Sequence, residues 1–162
     1  MKNLRKNLKK TVVVLFTLIF STSVLLACSK DTKKDVSTKD IGEKISQSTD
    51  LSKMKQGDNS KLEKLYKIKP GEVEEFVLYT APSNIKADEI AVIKVKGSSK
   101  IEDVKGKIEK RIKKQTASFK DYLPEEYALM EKHVLKEKGN YIIFVVSKDV
   151  DKIEKAIDES FK

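Results

Sequence analysis

The sequence contains few of the residues from which metal, redox and nucleophilic sites are built. Its 162 residues include one cysteine, one histidine and no tryptophan. A lone cysteine cannot close a disulfide within the chain, and one histidine cannot form a cluster of histidine ligands for a metal. The motifs G-x-x-x-x-G-K, G-x-G-x-x-G, G-x-S-x-G and H-E-x-x-H do not occur. We therefore expect no metal and no cofactor, and a fold that depends on its hydrophobic core.

Arginine is also scarce, and the net charge is less extreme than it first looks. Arg5 and Arg111 are the only arginines, and the whole chain has a formal charge of +9. Residues 1–27 hold five of the positive charges and none of the negative ones, so the remainder carries about +4 with the two signs interspersed. Such a surface does not suggest a nucleic-acid partner.

The N-terminal segment has the pattern of a secretory signal. Basic residues crowd positions 2–10, an uncharged apolar run covers 11–26, and Ala27 and Cys28 follow. The ending Leu25-Leu26-Ala27-Cys28 resembles the bacterial lipobox, with Leu26 where a small residue is more usual. A cysteine thiolate is nucleophilic enough to accept a diacylglycerol group as a thioether. We predict a signal peptide over 1–27 and a lipidated Cys28 that binds the bilayer on the extracytoplasmic face of the cell membrane.

An uncleaved membrane anchor is the alternative, and it would place the domain on the same side of the membrane. Its apolar run of about 16 residues is short, since a spanning helix needs about 20. We then expect a flexible tether over 28–50, because the segment after Cys28 is charged and poor in apolar residues. A single domain should occupy 51–162, although Ile41, Ile45 and Leu51 could form a short helix before it.

The apolar patterns predict an α+β fold. Strands are expected over 73–79 and 89–96, and a hairpin over 133–136 and 141–146 turns at Gly139 and Asn140. Sequences of the form S-x-x-E at Ser60 and Ser99 predict capping boxes at two helix starts. The ββαββα order suggests a four-stranded, mostly antiparallel sheet with the helices packed on one face. The core should include Ile101, Val104, Ile108, Ile112, Val150, Ile153, Ile157 and Phe161, which have helical spacing.

Two segments look less like scaffold than the rest. Residues 78–84 place an aromatic and small polar residues at a strand end, and residues 119–127 place three aromatics around a helix start. Such groups can form a pocket for a peptide or small molecule, although they could simply be the rim of the core. His133 begins a strand, where a surface or capping role is expected. The candidate binding residues are Tyr79, Ser83, Asn84, Asp121, Tyr122 and Glu125.

The run from Leu51 to Phe161 resembles an uncharacterised domain of unknown function found in lipoproteins of Gram-positive bacteria. The matching stretches are 79–84, the strand 89–96, and 121–126. The resemblance implies no activity and no site residues. We expect a monomeric, non-enzymatic binding or accessory module for an unknown protein or small molecule.

Two other functions remain open from the sequence. One is a cell-envelope hydrolase or transferase that uses carboxylates near Asp121 and Glu125. A pair such as Glu74 and Glu75 could not serve it, because neighbours in a strand point to opposite faces. The other is binding to an anionic membrane or the cell-wall surface through a basic helix face. That face consists of Lys105, Lys107, Lys110, Arg111, Lys113 and Lys114.

Overall fold

The computed structural model describes residues 35–162, so the predicted signal peptide and Cys28 lie outside the described residues. The α-helices are α1 (Thr38–Ser48), α2 (Asn59–Tyr66), α3 (Ile101–Phe119), α4 (Pro124–Glu131) and α5 (Val150–Ser160). The strands are β1 (Lys55–Gln56), β2 (Val73–Thr80), β3 (Glu89–Val95), β4 (Val134–Lys138) and β5 (Tyr141–Val146). None of these helices is long and apolar enough to cross a membrane.

The five strands form one antiparallel sheet in the order β1-β2-β3-β5-β4. The two central strands are joined in the register Ile93↔Ile142. At the β4–β5 hairpin, Lys138 faces Tyr141 across a two-residue turn. Gly139 takes a φ of 67° in this turn, which glycine adopts at little cost. The antiparallel arrangement and the hairpin confirm the prediction.

Every residue of β3 and β5 is buried. Since successive side chains point to opposite faces, both faces of the sheet must be covered. One face, here the first face, receives Ile93 and Phe144 and packs against α2, α3 and α4. The opposite or second face receives Val92 and Ile143 and packs against α1 and α5. The molecule is therefore a sheet between two helical layers.

The prediction of four strands with helices on one face was wrong in two respects. The fifth strand, β1, has only two residues, both exposed, so it leaves no periodic apolar signal. The helices α3 and α5 lie on opposite faces because β3 and β5 are apolar on both sides. Five of the eight predicted core residues are buried: Val104, Ile108, Ile112, Ile153 and Ile157. The other three, Ile101, Val150 and Phe161, are partly buried against the core.

The folded unit begins earlier than predicted. It includes the chain from Asp35 onward rather than from residue 51, and α1 buries Ile41 and Ile45 completely against the second face. A Cβ at Gly42 would lie 2.9 Å from Cγ2 of Val77, so the absence of a side chain lets the helix approach the sheet closely. The predicted helix is present, but residues 38–48 belong to the domain and not to a flexible tether.

Both predicted capping boxes were wrong. The side chain of Asp58, not Ser60, caps α2 by accepting from the backbone N–H of Lys61 at 2.9 Å. A 3-10 turn over Ser98–Lys100 precedes α3, whose first residue has no side-chain cap. The spacing S-x-x-E alone could not distinguish the capping residue from one that lies one or two positions away.

Candidate functional site at one end of the sheet

A cleft of about 740 Å³ opens at the end of the sheet where β2 and β5 finish and β3 begins. Four segments line it: the chain from the end of α1 to the first residue of β1, the β2–β3 connection with the start of β3, one side of α4, and the β5–α5 connection. Its volume lies within the roughly 300–1,000 Å³ of small-molecule sites. The lining residues are Thr49, Asp50, Leu51, Ser52, Lys53, Met54, Lys55, Ala81, Pro82, Lys86, Asp88, Ile90, Glu126, Leu129, Ser147, Lys148 and Asp149.

Glu126 fixes the wall formed by the β2–β3 connection. Its buried carboxylate accepts from the backbone N–H of Ala87 at 2.8 Å and from the Lys86 ammonium at 2.6 Å. The hydrogen bond to Glu126 and its charge raise the pKa of Lys86. Because a charged donor strengthens such contacts, α4 holds this connection in one conformation.

Asp149 fixes the opposite wall. Its carboxylate accepts from the Lys152 ammonium at 2.7 Å and from the Thr49 hydroxyl at 2.9 Å. These contacts hold its pKa below the ordinary range. Thr49 follows α1 and Asp149 precedes α5, so the bond joins two segments a hundred positions apart.

Acidic and basic side chains line the cleft, but most of the acidic ones already have partners. Lys53, Lys55 and Lys148 are exposed and have no carboxylate of residues 35–162 within 4.0 Å. Asp88 is partly buried, and burial followed by the charge of Glu126 raises its pKa. The arrangement therefore presents unpaired positive charge beside apolar side chains such as Met54.

None of the six residues proposed from the sequence is among those that line the cleft. Ser83, Asn84, Asp121 and Glu125 are exposed, and Tyr122 is 84% exposed. Tyr79 lies within β2 and packs against the second face; burial, followed by the charge of Glu43, raises its pKa. Their neighbours Ala81, Pro82 and Glu126 do line the cleft, so the chosen segments reach the site through other side chains.

Half of the basic face of α3 is occupied by contacts within the domain. Lys105 pairs with Glu137 at 2.7 Å, and Lys107 pairs with Glu72. Arg111 pairs with the buried Glu89 at 2.7 Å. Lys110, Lys113 and Lys114 are exposed and have no carboxylate of residues 35–162 within 4.0 Å.

Sequence reasoning missed a charged cluster inside the first face. Glu89, only 3% exposed, accepts from the Tyr66 hydroxyl at 2.5 Å and from both Nε and Nη2 of Arg111. Burial and the charge of Glu89 raise the pKa of Tyr66 well above its ordinary value. The sequence does contain an indication of this cluster. Arg111 stands among many lysines, and arginine is favoured over lysine where a planar, forked donor must bind a carboxylate.

A second cluster surrounds Lys94 at the start of the folded unit. Its ammonium lies 2.7 Å from Asp35, 3.0 Å from Glu74 and 3.6 Å from Glu75. The inference that adjacent glutamates cannot converge was wrong, because the β2–β3 register shifts between Val73 and Glu75 and such a bulge breaks the alternation. Hydrogen bonds to Asp35 and Glu74 raise the pKa of Lys94.

Other contacts bind the same N-terminal stretch to the sheet. The Tyr141 hydroxyl donates to Asp35 at 2.8 Å and lies 2.6 Å from the Val36 carbonyl. One Glu75 oxygen accepts from the backbone N–H of Thr38 at 3.1 Å. The hydrogen bonds to Tyr141 and Glu75, together with the Lys94 cluster, hold residues 35–38 in place at the N-terminus of α1.

The described residues offer no obvious catalytic or metal centre. Across 35–162, no group of three or more His, Cys, Asp or Glu side chains could hold a metal ion. His133 precedes β4, where its Nδ1 lies 2.6 Å from the Met130 carbonyl oxygen and its ring meets the edge of Phe144. These contacts match the capping role expected for it.

The fold is a small α+β domain with a cleft at one end of its sheet. The profile of the family called domain of unknown function (DUF4358) matches residues 47–147, more than half of the chain. The chain therefore belongs to that family. The matched range includes all five strands and nearly all the segments that line the cleft. No curated protein and no solved structure matches the chain significantly.

Proposed function

We propose that this protein is a lipoprotein anchored through Cys28 on the extracytoplasmic face of the membrane, and that its domain binds a ligand in the sheet-end cleft without catalysing a reaction. The 740 Å³ cleft is the observation that carries the binding function. Hydrogen bonds at Glu126 and Asp149 brace its two walls, so it exists before a ligand arrives. A preformed site loses less conformational entropy on binding than one that must first be ordered.

The anchor rests on the basic head, apolar run and lipobox-like ending of residues 1–28. Replacing Cys28 by alanine removes the thiol that would accept the lipid. We expect Cys28→Ala to remain an unlipidated, uncleaved precursor that migrates more slowly than the mature protein. Labelling with a fatty-acid analogue in growing cells measures the modification. Normal lipidation and processing of the variant would refute the anchor.

Photo-crosslinking in intact cells tests the binding function. A photoreactive residue at Ser52 or Ser147 would lie in the cleft lining, and one at Ser118 on α3 provides a matched exposed control. We expect adducts from the cleft positions that the control position does not give. If the three positions give the same adducts, the cleft is not the binding site.

A further inference from the structure

The charge balance of the cleft indicates which ligands it can hold. Of its four carboxylates, Glu126 and Asp149 are each paired with a lysine as described, whereas Asp50 accepts only from the neutral Ser52 backbone N–H at 2.8 Å. Of its four lysines, only Lys86 is paired with a carboxylate of residues 35–162. With Lys152, the partner of Asp149, the lysines exceed the carboxylates by one positive charge, and Lys53, Lys55 and Lys148 are the ones without a carboxylate of residues 35–162 within 4.0 Å.

Apolar groups lie beside these lysines. Leu51 and Met54 are partly buried in the core on the second face of the sheet, and Leu129 is partly buried in the core on the first face. All three line the cleft. Covering the remaining exposed surface of such apolar side chains with a ligand is favourable, because it removes that surface from water. A purely polar anion would leave them solvated, whereas a purely apolar ligand would leave the lysines without a counter-charge.

Granting the proposed binding function, we infer that the cleft takes a small ligand with both a phosphate or carboxylate group and an apolar part. The anionic group binds Lys53, Lys55 and Lys148, and the apolar part contacts Leu51, Met54 and Leu129. Asp88 also lines the cleft and repels such a ligand when ionised. The positive charges of Lys86 and Lys148 also act on Asp88, and they offset part of this repulsion.

Methionine methyl NMR can test this inference, because the chain has only three methionines. Met54 lines the cleft, whereas Met130 is 1% exposed within the first core and serves as an internal control. The full chain would be placed in nanodiscs of phosphatidylcholine and titrated with phenyl phosphate, with benzyl alcohol as the uncharged probe. We expect phenyl phosphate to shift the Met54 signal in a saturable way and benzyl alcohol to bind much more weakly.

Charge variants decide which groups bind the anion. Replacing Lys53, Lys55 and Lys148 together by glutamine should weaken phenyl phosphate binding roughly tenfold, given modest exposed ion pairs. Replacing Lys110, Lys113 and Lys114 by glutamine changes the net charge equally and should leave the affinity unchanged. Asp88→Asn should strengthen binding. An unshifted Met130 signal will show that each variant is folded.

The same assay can distinguish whether the anionic group belongs to a lipid head group or to a soluble molecule. Adding phosphatidylglycerol to the nanodiscs should shift Met54 without any probe if a lipid head group occupies the cleft, and should leave it unchanged if the ligand is soluble. Equal binding of both probes, or equal effects of the two triple variants, would overturn the anionic ligand class while leaving the cleft a binding site. A Met54 signal that responds to neither probe and neither lipid would also overturn the inference. Crosslinking at Ser52 and Ser147 still tests the binding function independently.

Discussion

The buried ion pair between Arg111 and Glu89 should be one of the most sensitive points of the domain. Glu89 is 3% exposed, and it accepts from two nitrogens of Arg111 and from Tyr66. Arg111→Met preserves most of the side-chain length but leaves the carboxylate with only its tyrosine donor. Removing one partner of a buried pair typically costs about 3–5 kcal/mol, because the other charge remains without compensation.

That cost is large compared with the roughly 5–15 kcal/mol by which a domain of this size is stable. Arg111→Met should lower the melting temperature by about 10 °C or more. Lys113→Met, two positions later on the same helix and exposed, should stay within about 0.5 kcal/mol of wild type. Thermal unfolding and urea unfolding of a fragment that starts at residue 35, both monitored by circular dichroism, measure the melting temperature and the free energy of unfolding of the two variants.

A double-mutant cycle separates the ion pair from general damage to packing. Glu89→Gln with Arg111→Met should cost less than the sum of the two single variants, by about 0.5–3 kcal/mol, because the double variant buries no unpaired charge. Additive effects would mean that the two side chains stabilise the fold independently. An Arg111→Met variant as stable as Lys113→Met would refute the reasoning altogether.

Three further predictions follow from the fold. Ile108→Ala and Ile157→Ala should each lower the free energy of unfolding by about 2–5 kcal/mol, since both side chains are completely buried, whereas Lys110→Ala should change it little. Thermal unfolding measures all three variants, and a wild-type melting temperature for either isoleucine variant would contradict a core on both faces of the sheet. Lys94, and then Tyr141, lower the pKa of Asp35, so the stabilisation from this contact should persist above the unfolded pKa and be lost as the pH falls through the lower folded value. Carboxyl NMR titration should show the Asp35 midpoint rising in Lys94→Met, and an unchanged midpoint would contradict the assignment. Protein purified without a tag should hold no stoichiometric zinc by elemental analysis, because thiolate and imidazole ligands are almost absent; one zinc per chain would refute this.

Local pattern was enough to predict most of the secondary structure. The hairpin follows from Gly139, which supplies the positive φ of the turn, and from the apolar run Tyr141–Val146. The 3.6-residue spacing of Val104, Ile108 and Ile112 predicted the buried stripe of α3. These features depend on neighbours within a few positions along the chain, so no tertiary information is needed to find them.

The composition of the two central strands indicates how many faces of the sheet are covered. Residues 90–93 and 141–146 are apolar almost without interruption, which is typical of strands buried on both sides. Treating the sheet as half-exposed therefore led to the wrong placement of α5. The same oversight made α1 look like part of a tether, although Ile41 and Ile45 are needed to cover the second face.

By itself, then, the sequence determined the α+β class, the antiparallel pairing and the buried stripes of α3 and α5, since these arise from short-range periodicity. Only the tertiary structure decided which groups share a site. The cleft brings Lys53, Lys86 and Lys148 together from three distant segments, and a bulge turns Glu74 and Glu75 toward one ammonium. Contacts between such distant residues depend on strand order and register, which are set by packing across the whole core. They therefore produce no pattern of fixed spacing in the sequence.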